Sequence, residues 1–374
     1  MIYFDAAATT LQKPPEVAAA MLTALTSMAS PGRGGHAAAM GAAETVFACR
    51  SALAELFHLE NPERVVFTMN ATHALNLAIK SLVPPEGRVV ISGYEHNAVT
   101  RPLAALRAKI EVAEAPLFQP QAVIDAFDRL VTAETDAVIC SHVSNVFGFI
   151  QPVEDIAAIC RSRGVPFIID ASQSAGILPL DFTALGAAFV AMPGHKGLYG
   201  PQGTGVLLCS DFPVQTLIEG GTGSISLQQK MPDFLPDRLE AGTHNVPGIA
   251  GLLAGVNYIQ RLGIAAIAHH ERQLTAFLAE GLREIPAVMR IFARPGFRAQ
   301  TGVLSVVPEG IDPEVLAEKL AERGIALRAG YHCAPLAHRT AGTLERGTVR
   351  LSVSAFNTFE EACLCLDAFR ACMP

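Results

Sequence analysis

Apolar and polar positions along this chain follow two periods. A helical spacing begins where Pro14-Pro15 opens a helix at about Glu16, and it returns over residues 37–59. Beyond that point, short apolar runs of strand character alternate with helical stretches. Residues 64–69, 88–92, 136–142 and 165–170 each read as a buried strand. The alternation predicts an open parallel α/β sheet. Residues 187–192 and 204–209 are two further apolar runs, and the segment between them is too short and too rich in Gly and Pro for a crossover helix. Those two strands are expected to pair antiparallel.

Polar residues stand just past the strand ends: Asn70-Ala71-Thr72-His73, Glu95-His96-Asn97, Ser144-Asn145 and Asp170-Ala171-Ser172-Gln173. Ligands of an open parallel sheet bind beyond the carboxyl ends of its strands, so Thr72, His96, Asn145, Asp170 and Gln173 are expected to converge on one crevice. Thr72 follows a strand and starts a helix, which suits a phosphate site, although an N-cap explains Asn70 and Thr72 equally well. Lys196 lies in the Gly-rich segment between the antiparallel strands, beside His195. Desolvation there would lower its pKa and free its amine to attack a carbonyl; taken alone, the stretch fits a surface loop as well. Residues 31–36, with Arg33 and His36, taken alone read as a solvated turn.

Composition narrows the class. A chain of 374 residues, 50% hydrophobic and 17% charged, can bury a large core and is expected to form two domains. A net charge of −7 provides no basic face for nucleic acid or an acidic membrane, and a small-molecule substrate fits better. The N-terminus lacks the basic start and apolar core of a signal peptide, and no apolar run approaches membrane-spanning length; the expected location is cytoplasmic. The eight cysteines contain no CxxC pair and several sit in apolar runs, so neither a disulfide framework nor a metal site is indicated. Pyridoxal 5'-phosphate matches what the strand ends offer: a lysine for covalent attachment, a carboxylate (Asp170) for the ring nitrogen, and donors for the phosphate. His96 would stack on the ring, and Asn145 and Gln173 would reach the ring oxygen.

Glu95-His96, His142-Val143-Ser144-Asn145, Asp170-Ala171-Ser172-Gln173, Gly194-His195-Lys196, Arg238-Leu239-Glu240-Ala241-Gly242-Thr243, Arg328-Ala329-Gly330-Tyr331-His332-Cys333 and Arg350 before Asn357-Thr358 together resemble the class V aminotransferases of PLP fold type I. Within that family they are similar to the cysteine desulfurases and selenocysteine lyases. The resemblance implies a large domain (residues 15–262) with a mainly parallel seven-stranded sheet, one strand antiparallel, flanked by helices. It implies a smaller α+β domain over residues 263–374, joined by the N-terminal segment 1–14. Lys196 would carry the cofactor, Asp170 would face its ring nitrogen, His96 would stack, and Ala71, Thr72, Ser172 or Ser174, and His195 would lie near its phosphate. Thr222 would reach across a homodimer to the partner's phosphate, and the loop with Arg33 and His36 would help complete the neighbouring site. Arg350, with Arg328, Asn145 and His36, would bind the substrate; a strand-edge charge is the other reading of Arg350.

Cys333 stands in a Gly/Pro-flanked loop between cations and next to His332, which suits a reactive thiol. The implied reaction converts cysteine to alanine and leaves a persulfide on Cys333 for a separate acceptor protein. Selenocysteine lysis, another PLP reaction that does not use Cys333, and a non-catalytic binding protein are the alternatives. The chain departs from the family pattern in having Gly197-Leu198 between Lys196 and Tyr199-Gly200-Pro201, Ala71 where a second hydroxyl is usual, and Tyr331 where His is usual.

Overall fold

A strand is buried on both sides when helices cover both faces of its sheet, and the central strands here have that character: Ala137–Ser141 is buried throughout. The structure, a computed structural model, describes residues 1–373 except 33, 287, 295, 297 and 298, and of Met289 only the backbone. Arg33 therefore lies outside the described residues. In chain order the elements are β1 (Ile2–Tyr3), α1 (Pro15–Ser27), α2 (Ala37–Leu56), β2 (Val65–Thr68), α3 (Ala71–Leu82), β3 (Arg88–Ser92), α4 (Asn97–Ala105), β4 (Lys109–Ala113), α5 (Pro120–Leu130), β5 (Ala137–Ser141), α6 (Val153–Arg163), β6 (Phe167–Asp170), α7 (Phe182–Leu185), β7 (Phe189–Pro193), β8 (Gly205–Cys209), α8 (Val246–Leu262), α9 (Ile264–Arg283), β9 (Val288–Phe292), β10 (Val303–Pro308), α10 (Pro313–Glu322), β11 (Ile325–Ala326), β12 (Arg328–Gly330), α11 (Pro335–Ala341), β13 (Thr348–Ser352) and α12 (Phe359–Cys372).

The central sheet has the order β2-β8-β7-β6-β5-β3-β4. Its strands run parallel except β8, which pairs antiparallel with both β2 and β7. Alternation along each strand divides its side chains between two layers. Val90, Val138 and Ile169 face a core shared with α2, α5, α6 and α8; Val89, Ile139 and Ile168 face one shared with α3 and α4. Among the described residues, no single helix is long and apolar enough to cross a membrane.

A second core packs α9, α10 and α12 on the antiparallel sheet β12-β13-β10-β9, with Leu278, Leu304, Leu316, Leu351 and Phe369 at its centre. The start of the chain belongs to it: β1 pairs parallel with β11, and Phe4 is fully buried there. From Asp5 the backbone crosses to the central sheet, where the Thr10 N–H donates to the His195 carbonyl at 3.1 Å. The N-terminal segment thus ties the second core to the lysine loop.

Candidate active site

The polar residues past β2, β3, β5, β6 and β7 gather around one cavity of about 180 Å³. Ala71, Thr72, His96, Asn145, Asp170, Ser172, Gln173, His195 and Lys196 all line it, as does Ala8 from the N-terminal segment. Convergence follows from topology, because the carboxyl ends of neighbouring parallel strands share one edge of the sheet.

Asn70 caps α3 by accepting from the His73 N–H at 2.9 Å, which leaves Ala71 and Thr72 to present the first turn of the helix to the cavity. Asp170 is buried at the end of β6, and its Oδ1 accepts from the Ser172 N–H at 2.9 Å. His96 caps α4 through Nδ1, 3.0 Å from the Ala98 nitrogen, so its proton sits on Nε2. Burial holds its pKa below 6.5, against the opposing pull of Asp170. Burial likewise lowers the Lys196 ammonium to about 8, with Asp170 acting in the other direction. His195 is lowered to about 4 by burial and pairs through Nδ1 with the Thr9 hydroxyl at 3.0 Å.

Several assignments sharpen or change. Of the two serines, Ser172 lines the cavity, whereas the hydroxyl of Ser174 is buried without a partner. The amide nitrogen of Asn145 donates to the His332 carbonyl at 2.8 Å, and that of Gln173 donates to the Ala7 carbonyl at 2.9 Å. Both amides therefore also anchor backbone. Arg350 is not a strand-edge charge: β13 lies between β12 and β10, and the side chain is buried. Its Nη1 donates to the Asn145 carbonyl at 3.0 Å, its Nη2 pairs with Asp5 at 2.7 Å, and its Nε has no partner. Arg328 pairs with the other oxygen of Asp5 at 3.0 Å. Thr222 and His36 lie outside the cavity of their own chain: the Thr222 hydroxyl meets that of Ser224 at 3.1 Å, and exposed His36 caps α2.

Cys333 is exposed, whereas Cys49, Cys140, Cys160 and Cys209 are buried. It opens onto a groove of about 340 Å³ that shares Thr72, His96 and Ala98 with the lysine cavity and adds Asn97 and Arg101. His332, the neighbour of Cys333 in the chain, is held neutral. Burial drives its pKa to about 2, with Arg350 adding to the effect, and its Nε2 turns to the Thr348 hydroxyl at 3.3 Å. His332 and Cys333 both hold left-handed backbone (φ 48° and 55°), fixed by the Asn145 contact and by the Asn97 N–H on the Cys333 carbonyl at 2.8 Å. The inserted Gly197 fits because its backbone packs on Gly176, where a Cβ would meet the Gly197 carbonyl at 2.4 Å.

Asp5 and the pair Thr9 and Thr10 are the site residues that pattern reading passed over. A lone carboxylate directly after a short apolar strand, followed by small residues, was the available signal.

The donor set fits pyridoxal phosphate: a desolvated amine, a buried carboxylate, a neutral histidine and a helix start meet in one cavity. The family model for aminotransferase class V matches residues 2–363, and the chain belongs to that family. Among its relatives are a probable cysteine desulfurase of Methanothermobacter thermautotrophicus, 33% identical over 96% of this chain and 92% of its own, and one of Xylella fastidiosa, 36% identical over 96% and 88%. The apo structure of the cysteine desulfurase from Thermococcus onnurineus NA1 superposes with a TM-score of 0.88 at 30% identity, covering 99% of this chain and 94% of that one. The cysteine desulfurase CsdA of Escherichia coli does so at 0.87 and 26% identity, with the same coverage.

Proposed function

We propose that the chain is a pyridoxal-phosphate-dependent cysteine desulfurase that releases alanine and takes the sulfur onto Cys333. The observation that carries this reading is the exposed Cys333 on a groove continuous with the lysine cavity, while the thiols of the central sheet are buried.

Thr72, Ala71, Ser172 and His195 would hold the cofactor's phosphate, Asp170 its ring nitrogen, His96 its face and Lys196 its carbonyl carbon. Bound there, the cofactor supplies an electron sink that stabilises negative charge at the substrate's Cα. Arg350 binds the substrate carboxylate, for which its unpartnered Nε–H is an available donor. Lys196 Nζ, with its lowered pKa, accepts the Cα proton. Neutral His96 holds a transferable proton on Nε2 beside Cys333. The Cys333 thiolate attacks the substrate sulfur: an S–S bond forms, the C–S bond breaks, and its electron pair goes to Cβ, which takes up a proton to give alanine.

The same reading includes a homodimer, supported by Thr222, which is not used in its own cavity, and by exposed apolar side chains on α1 and α2. A separate acceptor protein is favoured because α11 and a turn fill the short segment after Cys333 and leave the thiol uncovered.

The test uses cysteine without reductant. Alanine should appear, and the mass of one sulfur should be added to the peptide that contains Cys333, with Cys363, the other exposed thiol, as the internal control. Cys333→Ala should keep its colour and still bind cysteine but fail to release sulfur. Wild-type turnover in that variant, or sulfur on another cysteine, sinks the persulfide mechanism.

A further inference from the structure

We propose that Arg101 selects the sulfur acceptor: it is the one charged side chain that lines the groove at Cys333, and it suits an acceptor protein whose nucleophilic cysteine stands beside acidic side chains. The inference deepens the reading of Cys333 as the persulfide carrier and rests on it.

Helix α4 builds one wall of the groove with Asn97, Ala98, Arg101, Pro102 and Ala105, positions a turn apart that share a face. The start of that face is tied to the thiol's own loop, because the Asn97 N–H donates to the Cys333 carbonyl at 2.8 Å. Arg101 follows one turn later, and its neighbours on the wall are small, so the exposed guanidinium stands clear of them. No carboxylate lines this groove. Among the described residues the Arg101 side chain makes neither an ion pair nor a hydrogen bond, whereas Arg64, Arg88, Arg163, Arg238 and Arg328 each hold an acidic partner. His96, on the same groove, is neutral: burial lowers its pKa, and Lys196 and Arg101 add to that against Asp170. The counter-charge of Arg101 is therefore left to whatever enters. The groove, about 340 Å³, lies at the lower end of the range for ligand pockets (roughly 300–1,000 Å³) and takes a few side chains of a partner. In the transfer, the acceptor's thiolate attacks the outer sulfur of the Cys333 persulfide. A new S–S bond forms, the bond to Cys333 Sγ breaks, and its electron pair leaves on Cys333 as the thiolate, so no other oxidant or reductant is needed. An acidic side chain beside the incoming thiolate pairs with Arg101 and sets the attacking sulfur over Cys333.

The experiment loads the holoenzyme with cysteine, removes the excess, and follows loss of the added sulfur from the Cys333 peptide by mass. The acceptor probes are short blocked peptides with one cysteine between two glutamates, two glutamines or two lysines. Wild type should discharge to the glutamate peptide about fivefold faster than to the glutamine peptide, and slowest to the lysine peptide, with the spread collapsing at about 1 M salt. Arg101→Gln should bring the glutamate peptide down to the glutamine rate and leave the latter unchanged, Arg101→Lys should keep most of the preference, and Arg101→Glu should reverse it. Equal wild-type rates for the three peptides, or an Arg101→Gln loss that falls equally on all three, overturns the proposal. So does an alanine burst, measured without acceptor, that falls as far as discharge does in Arg101→Gln, because Arg101 would then serve the amino-acid substrate. A second measurement needs no turnover: the rate at which iodoacetate alkylates Cys333, relative to iodoacetamide and to the same ratio at Cys363, should fall about fivefold in Arg101→Gln. A wild type that forms the persulfide but shows no charge preference in either measurement leaves the function standing and overturns this inference. One that shows the alkylation preference without forming a persulfide supports anion recognition in the groove and defeats the function.

Discussion

Burial around Lys196 disfavours the ammonium more than Asp170 favours it, and its pKa falls from 10.5 to about 8. At neutral pH about a tenth of the amine is then uncharged, against well under a thousandth for an ordinary lysine. Covalent capture of pyridoxal phosphate by the apoprotein should therefore accelerate from pH 6, reach half its maximum near pH 8 and level off above about pH 9, followed by absorbance. A midpoint displaced to pH 10 or beyond would mean that the amine is solvated. The position of Lys196 was legible in the sequence, because one lysine stood in a Gly-rich segment between two buried strands. The state of His332 was not. The sequence placed it next to Cys333 and no more; the left-handed backbone at both residues turns the imidazole inward to Thr348 and leaves the thiol outside.

Helix α9 carries Glu271, a fully buried carboxyl that sits against Gly302, where a Cβ would meet its Oε2 at 2.8 Å, and beside the small cavity behind Lys196 and Tyr199. Burial raises its pKa from 4.5 to about 8. The folded protein thus keeps a proton that the unfolded chain releases, and its stability falls as pH rises from about 4.5 to about 8. Glu271→Gln should match wild type near pH 4 and gain stability on it progressively up to pH 8, by roughly 1–3 kcal/mol in denaturant titrations. A constant difference across that range would show that Glu271 titrates normally. A glutamate in an amphipathic helix gives no sign in the sequence of facing inward; the packing of Gly302 decides that. Pattern reading also passed over β4, an edge strand whose Lys109 and Ile110 are exposed and whose pairing with β3 only the sheet reveals.

Across the whole molecule, exposed apolar side chains collect on α1 (Leu22, Leu25) and α2 (Met40, Phe47), and Leu227 stands fully exposed in the loop that carries Thr222. Such surfaces mark interaction sites. Sedimentation should give a dimer of the 39.5 kDa chain, and Phe47→Glu should shift it toward monomer and speed cofactor loss, as Thr222 would leave the neighbouring site. A monomer with full activity overturns this. The sequence alone determined the alternating α/β architecture, the antiparallel pair around Lys196 and the residues at the strand ends, because apolar periodicity is local and parallel strands bring their carboxyl ends to one edge. Tertiary structure alone decided the partnership of Asp5 with Arg350, a contact across 345 positions of chain. Local pattern carries no record of such a pair, because the carboxylate's partner is chosen by how the second core folds back over the first.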